Sequence, residues 1–457
     1  MNESSTSTTQ LFTATATLAA IGMKLRERKV FEPIEQMVHI AHKTVKDTPT
    51  QKLYDALISI LAGAHGLIEI NTRLRADSGL QRAFGRKRCA EQSVVQDPLN
   101  ACTPENVEQM EQALQTIYRH QSQGYQHNYQ ASLQILDVAM SGLPCGPKAA
   151  FATKGYFAKQ RNRRGRQLGR VLASHYGEIV VDRLFDGKTQ LTRAMPPLML
   201  AAEGTLHLDE DQRRRTIVRM DAGGGSLEDV NWLLARGYLV HCKDYSGQQA
   251  KRLAKSVQDW YADPSHPERQ FGWVSETTEA YVRPVKRIAV RCRKPDGTFA
   301  YGVLISALSA QHVLTLTCQP LSLLADPAAV LLAYVRFYDQ RGGGVETSFK
   351  GDKGGLGIGK RSKKRFAAQQ MLTLLSSLAH NVIVWAHQWL ASPALQHYGM
   401  LRMVRDVFPI SGFLLTDAYG QVMELVLNQA APLASALVLP LRQLLAGAQV
   451  AVNLGQT

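Results

Sequence analysis

The chain has 457 residues, 45% of them apolar and 20% charged, enough for roughly two or three domains with their own cores. Its 53 Lys and Arg against 38 Asp and Glu leave a net charge of +15, which favours an anionic partner, nucleic acid ahead of membrane. No run reaches the ~18 apolar residues of a spanning helix, the opening MNESSTSTTQLFTATATLAAIGM lacks the positive region of a secretion signal, and the six cysteines form no Cys-x2-Cys pair of a zinc module; a cytoplasmic, nucleoid-associated protein is expected.

Residues 1–12 are rich in Ser and Thr and read as disordered. Residues 13–125 read as an all-helical, DNA-binding N-terminal domain. It carries the basic cluster Lys24 to Lys29, and Leu53, Leu57, Ile60, Leu61, Ala64 and Leu67 form one apolar helical face. Thr103 and Pro104 cap and open a further helix around Val107, Met110, Leu114 and Ile117. The basic stretch Arg82 to Arg88 is either a DNA contact or a solvated helix end.

From Ser132 the period changes. Ser132 to Met140 is an apolar run of strand length with one acid, Asp137, and a carboxylate there needs an ion-pair partner or a metal. Strands follow over Lys154–Lys159 and Arg166–Arg183 around the Asn162–Gly165 turn, then a helix over Thr192–Leu206. The Arg214–Met220 strand delivers Asp221 at its end, ahead of the turn Gly223-Gly224-Gly225. Ser226 then caps a helix with Asp229 at its third position, and Tyr238–Cys242 forms a further strand. This order is that of a ribonuclease H-like core, with Asp137 on the first strand and Asp221 closing the fourth; Asp182, on the third, ranks second as the first acid. Residues 245–326 read as a β-rich insertion, with antiparallel strands over Tyr281–Arg293, Phe299–Leu308 and His312–Cys318. Within it Trp273 either stacks on a base displaced from its duplex or closes a sheet core.

The core resumes at 327–391, where an apolar helical run over Ala328–Phe337 leads into Tyr338-x2-Arg341-x4-Glu346-x6-Lys353 and then a long helix over Phe366–Trp389. Glu346 is surrounded in sequence by cations, among them Lys353, Lys360, Arg361 and Lys364. Gly354 to Lys360 has the G-x4-G-K form of a phosphate loop, but Arg361 stands where Ser or Thr must reach Mg²⁺ and no apolar strand leads in. Its glycines suit a basic loop that approaches DNA closely. Residues 392–457 read as a C-terminal region with a helix, a hairpin around Asp417–Gly420 and a final helix over Leu433–Leu445.

The spaced tyrosine, arginine, glutamate and lysine resemble the signature of bacterial cut-and-paste insertion-sequence transposases of the Asp-Asp-Glu type. That family has three residues between arginine and glutamate; here Gly342 to Val345 make four, and the extra glycine predicts a break in the helix. The resemblance implies an α/β fold, a ribonuclease H-like catalytic core with a β-rich insertion preceded by a helical domain. It implies that Asp137, Asp221 and Glu346 are the catalytic carboxylates and hold two Mg²⁺ or Mn²⁺ ions, Asp137 bridging both, since hard cations select oxygen ligands. Tyr338, Arg341 and Lys353 would hold DNA phosphates, with Lys360, Arg361, Lys364 and Trp273 as further DNA contacts. It also implies metal-dependent cleavage at terminal inverted repeats, strand transfer into target duplex DNA, and a homodimer on DNA. A nuclease of the same fold, or a DNA-binding relic with no catalysis, are the alternatives.

Overall fold

The computed structural model of the protein describes residues 8–43, 46–157, 160, 162–275 and 280–456. The chain divides into two compact units, one of Met1–Ser122, Leu143–Ala152 and Phe349–Thr457, the other of Gln123–Gly142 and Thr153–Ser348.

The second unit is built on a ten-stranded sheet. From one edge it runs Thr153–Lys154, Arg164–Ala173, Gln134–Pro144, Thr216–Met220, Leu239–Lys243, Phe299–Ser306, Lys286–Arg293, His266–Trp273 and Tyr261–Asp263, with Glu178–Asp186 paired on Arg164–Ala173. Gln134–Pro144, Thr216–Met220 and Leu239–Lys243 are mutually parallel. Parallel strands are covered on both faces and so read as apolar runs; Leu136, Val138, Ile217, Val218, Met220 and Val240 are all fully buried. Helix Pro327–Asp339 lays Leu331, Tyr334, Val335 and Phe337 on Ile217, Ile288 and Leu304 to close the core.

The antiparallel strands of residues 245–326 continue the central ladder, Phe299–Ser306 pairing antiparallel with both Leu239–Lys243 and Lys286–Arg293. One expectation changes in this unit. The segment read as a strand over His312–Cys318 lies mostly in a helix, Ala310–Leu316. Ser309 caps it, its hydroxyl accepting from the His312 amide at 3.1 Å, and this cap outweighs the β-branched Val313 and Thr315. Of the strand read over Lys154–Lys159, Thr153–Lys154 pairs with Arg164–Gly165, and Lys159 lies outside the described residues.

The first unit gathers the N-terminal helices around the 25-residue helix Phe366–Leu390, which packs on Pro49–Leu61, Gln92–Ala101, Pro104–Gln121 and Ala434–Leu445. Helix Pro104–Gln121 starts as its sequence requires, with Pro104 in the first turn and the Thr103 hydroxyl accepting from the Asn106 amide at 3.3 Å. The unit is not wholly helical. Thr9–Thr13 is a strand paired with Gly412–Thr416 in a four-stranded sheet, which corrects the reading of residues 1–12 as disordered for 9–12; residues 1–7 lie outside those described. Among the described residues no helix is long and apolar enough to cross a membrane.

Candidate functional site

Asp137 sits at the middle of the sheet with 0% of its surface exposed. Its strand pairs in parallel with Thr216–Met220 so that residue 137 faces Arg219. The guanidinium clasps both carboxylate oxygens, Nε to Oδ1 at 2.7 Å and Nη2 to Oδ2 at 2.9 Å. Arg219 also donates from Nη1 to the Phe337 carbonyl at 2.8 Å and lies over the Phe337 ring. A bidentate pair of this kind satisfies both ions where water cannot. Gly344 closes the pocket from the helix side: a Cβ there would fall 2.3 Å from Asp137 Oδ2.

Asp221 follows the same strand, two residues after Arg219, and is exposed. Its carboxylate caps the turn Ala222–Gly224, accepting from the Gly223 amide at 2.9 Å. The glycines that follow are there because of crowding: a Cβ on Gly225 would lie 1.8 Å from the Lys243 carbonyl oxygen. Ser226 then caps helix Leu227–Ala235 at the Asp229 amide, as its spacing indicates.

The predicted break before Glu346 is present. Helix Pro327–Asp339 gives way to a short turn over Gln340–Gly343, and a new helix, Val345–Gly351, starts after Gly344. Glu346 stands on its first turn with 60% of its side chain exposed, accepting from Arg341 Nη1 at 2.7 Å. Arg341 is itself buried. Tyr338 is half-buried between these groups: burial pushes its hydroxyl up to about 12, the charges of Asp221 and Glu346 adding to the shift and Arg341 opposing it. Asp221 and Glu346 thus face solvent, and the buried Arg341 and half-buried Tyr338 act on them from below, with Asp137 against Gly344.

The Asp137–Arg219 pair belongs to a longer row. Arg219 faces His241 on the next strand, and His241 faces Ser306 on the one after, with His241 Nδ1 and Ser306 Oγ 3.0 Å apart. Burial, reinforced by the Arg219 charge, lowers the His241 pKa to about 3. An unfolded imidazole takes up its proton near 6.5 whereas the folded one resists, so stability is held above 6.5 and lost as pH falls toward 3, by about 1.4 kcal/mol per unit. Urea titrations should show a loss of about 2 kcal/mol between neutrality and about pH 5, and His241→Asn should flatten that slope. An unchanged slope in the variant would assign the acid sensitivity elsewhere.

The three predicted carboxylates do not form a metal-ligand set. Both oxygens of Asp137 are taken by Arg219, and among the described residues no group of three or more His, Cys, Asp or Glu is arranged to hold a metal ion. Asp182, the second-ranked first acid, is closed in the same manner, clasped by Arg170 at 2.8 and 2.7 Å. Arg219 was missed in the sequence, although its signal matched that of Asp137: a lone charge in the apolar strand Thr216–Met220, TIVRM.

The proposed phosphate contacts divide. Lys353, Lys360, Arg361 and Lys364 belong to the first unit, Tyr338, Arg341 and Trp273 to the second. Lys360 and Lys364 are exposed and Lys353 is half-buried. Arg361 is 5% exposed and donates to the Ala64 carbonyl; burial lowers its pKa to about 10, so it holds its own loop in place of a phosphate. Trp273 ends its strand at a cavity of about 620 Å³ shared with Tyr281, Arg283 and Lys286. Its ring meets Tyr334 edge-on and carries the Lys286 ammonium 5.7 Å from its centroid, so it is partly core and partly cavity wall.

A scan against protein-family models and a search of curated proteins found no match. A search of solved structures found several chains. One is a piggyBac transposase synaptic complex with hairpin DNA, 11% identical with a TM-score of 0.47, the match covering 92% of this chain and 81% of that one.

Proposed function

We propose that the protein is a transposase-type DNA protein that binds the ends of its own element, with cleavage and joining as the reaction of its kind. The observation that carries this reading is the cluster itself: Asp221 at the end of a parallel strand and Glu346 after a helix break, both solvent-facing, with Tyr338 and Arg341 between them. The strand order around it, third, second, first, fourth, fifth if the two-residue Thr153–Lys154 is set aside, supports the reading of a ribonuclease H-like core. The +15 charge supplies a sequence-independent pull on a DNA backbone. Cleavage of this kind would need Mg²⁺ or Mn²⁺, and a homodimer would be the form that pairs two ends. A second reading, binding without cutting, is favoured by one contact, the Arg219 clasp on Asp137.

Fluorescence anisotropy on duplexes carrying the inverted repeats that flank the gene, against shuffled duplexes, tests the proposal. Preferential binding to the repeats is expected. Lys360→Ala should weaken binding to both duplexes alike and reduce the salt slope by about one. Equal affinity for repeat and shuffled DNA would sink the end-binding role.

A further inference from the structure

The divalent-cation chemistry proposed above asks for three oxygen ligands, and the chain offers two that face solvent. The missing one can be located from the ladder. Asp137 faces Arg219 and Val138 faces Met220; one step further come Ala139 on the central strand and Asp221 at the end of its neighbour. Side chains alternate along a strand, so Ala139 shares the face of Asp137. The backbone stays extended through Asp221, at φ −79° and ψ −173°, which keeps Asp221 on the face of Arg219. Gly344 touches Asp137 on that side, and Glu346 follows two residues later. The position beside Asp221 on the Glu346 side is therefore 139, and it holds a methyl group, 3% exposed.

We propose that 139, not 137, is the metal-ligand position of the central strand, and that Ala139 leaves this chain one carboxylate short of a divalent-cation site. Asp137 is then the anchor of a buried ion pair, and the protein as it stands holds DNA without the metal that cutting requires. This rests on the transposase reading only in taking a divalent cation as the missing partner.

The test is Mn²⁺ binding, by calorimetry and by the loss of the free-ion resonance signal, on the full chain and on Ala139→Asp. The unaltered chain should show no saturable site. Ala139→Asp should gain one, filling at an Mn²⁺ concentration about tenfold or more below that at which the unaltered chain shows only non-saturable uptake, because a third carboxylate is added to the shell, and Asp221→Asn in that background should remove it. Saturable, stoichiometric Mn²⁺ binding by the unaltered chain overturns the proposal whether or not any variant folds. So does a folded Ala139→Asp protein that gains nothing. The repeat-DNA titration is read separately: its failure removes the transposase reading, whereas failure of the Mn²⁺ gain with repeat binding intact removes only the role of position 139.

Discussion

Asp137→Asn is expected to destabilise the sheet unit by about 3–5 kcal/mol, because it keeps the side chain's volume but leaves Arg219 charged and unpaired in the core. Arg219 is 3% exposed, and the acceptors left to it, the Phe337 carbonyl and the one amide oxygen of the new side chain, carry no charge to offset it. Urea denaturation of the variant against the unaltered chain measures the loss. The paired change Asp137→Leu with Arg219→Met should recover most of it, since replacing both members of a buried pair by apolar groups of similar size is often close to neutral. A single variant within about 1 kcal/mol of the parent would show that water reaches Arg219 and that the clasp is not sealed. The result separates two roles for this acid: a metal ligand can be neutralised at little cost to the fold, whereas half of a buried ion pair cannot.

Gly225→Ala is the second large effect, expected to cost about 1–3 kcal/mol or more because the added methyl meets backbone that has no rotamer to escape into. The clash is with the Lys243 carbonyl oxygen and carbon, at 1.8 and 2.9 Å, and relieving it pulls on the Gly225 carbonyl that accepts from the Tyr245 amide. Gly247→Ala, with nothing within 4 Å of its Cβ, is the control and should stay within about 0.5 kcal/mol. A loss shared equally by both variants would overturn the assignment to this contact, since the lower unfolded-chain entropy that alanine brings acts in the opposite direction. Because the turn that Gly225 closes begins at Asp221, the same substitution should also displace that carboxylate from the cluster around Tyr338.

Much of this arrangement could be read from local signals. The lone acid in an apolar run put Asp137 on a buried strand, the strand end and glycine turn placed Asp221, and Ser226 and Thr103 marked their helices by hydroxyls at capping distance. The helix break at Gly344 followed from one residue too many between Arg341 and Glu346. What could not be read depends on residues far apart in the chain. The clasp joins residues 82 positions apart, and the Thr9–Thr13 strand finds its partner some 400 residues later. Arg361 looked like a DNA contact because it sits in a basic run, and only packing against the Ala64 carbonyl removes it from the surface. A buried acid on a central strand allowed either a metal or an arginine as partner, and periodicity does not distinguish them.

The row from Asp137 through Arg219 and His241 to Ser306 also bears on how the chain avoids misfolding. Three of its four strands are parallel and apolar on both faces, so burial alone scarcely distinguishes the correct pairing from one slipped along by a residue. A slip would move Arg219 to the opposite face of the sheet from Asp137 and strand two charges in the interior, at a cost no repacking of valines and leucines could offset. The four polar side chains act as teeth that mesh in one alignment only, and so the ion pair that withholds Asp137 from a metal is also a proof-reading device for assembly of the sheet.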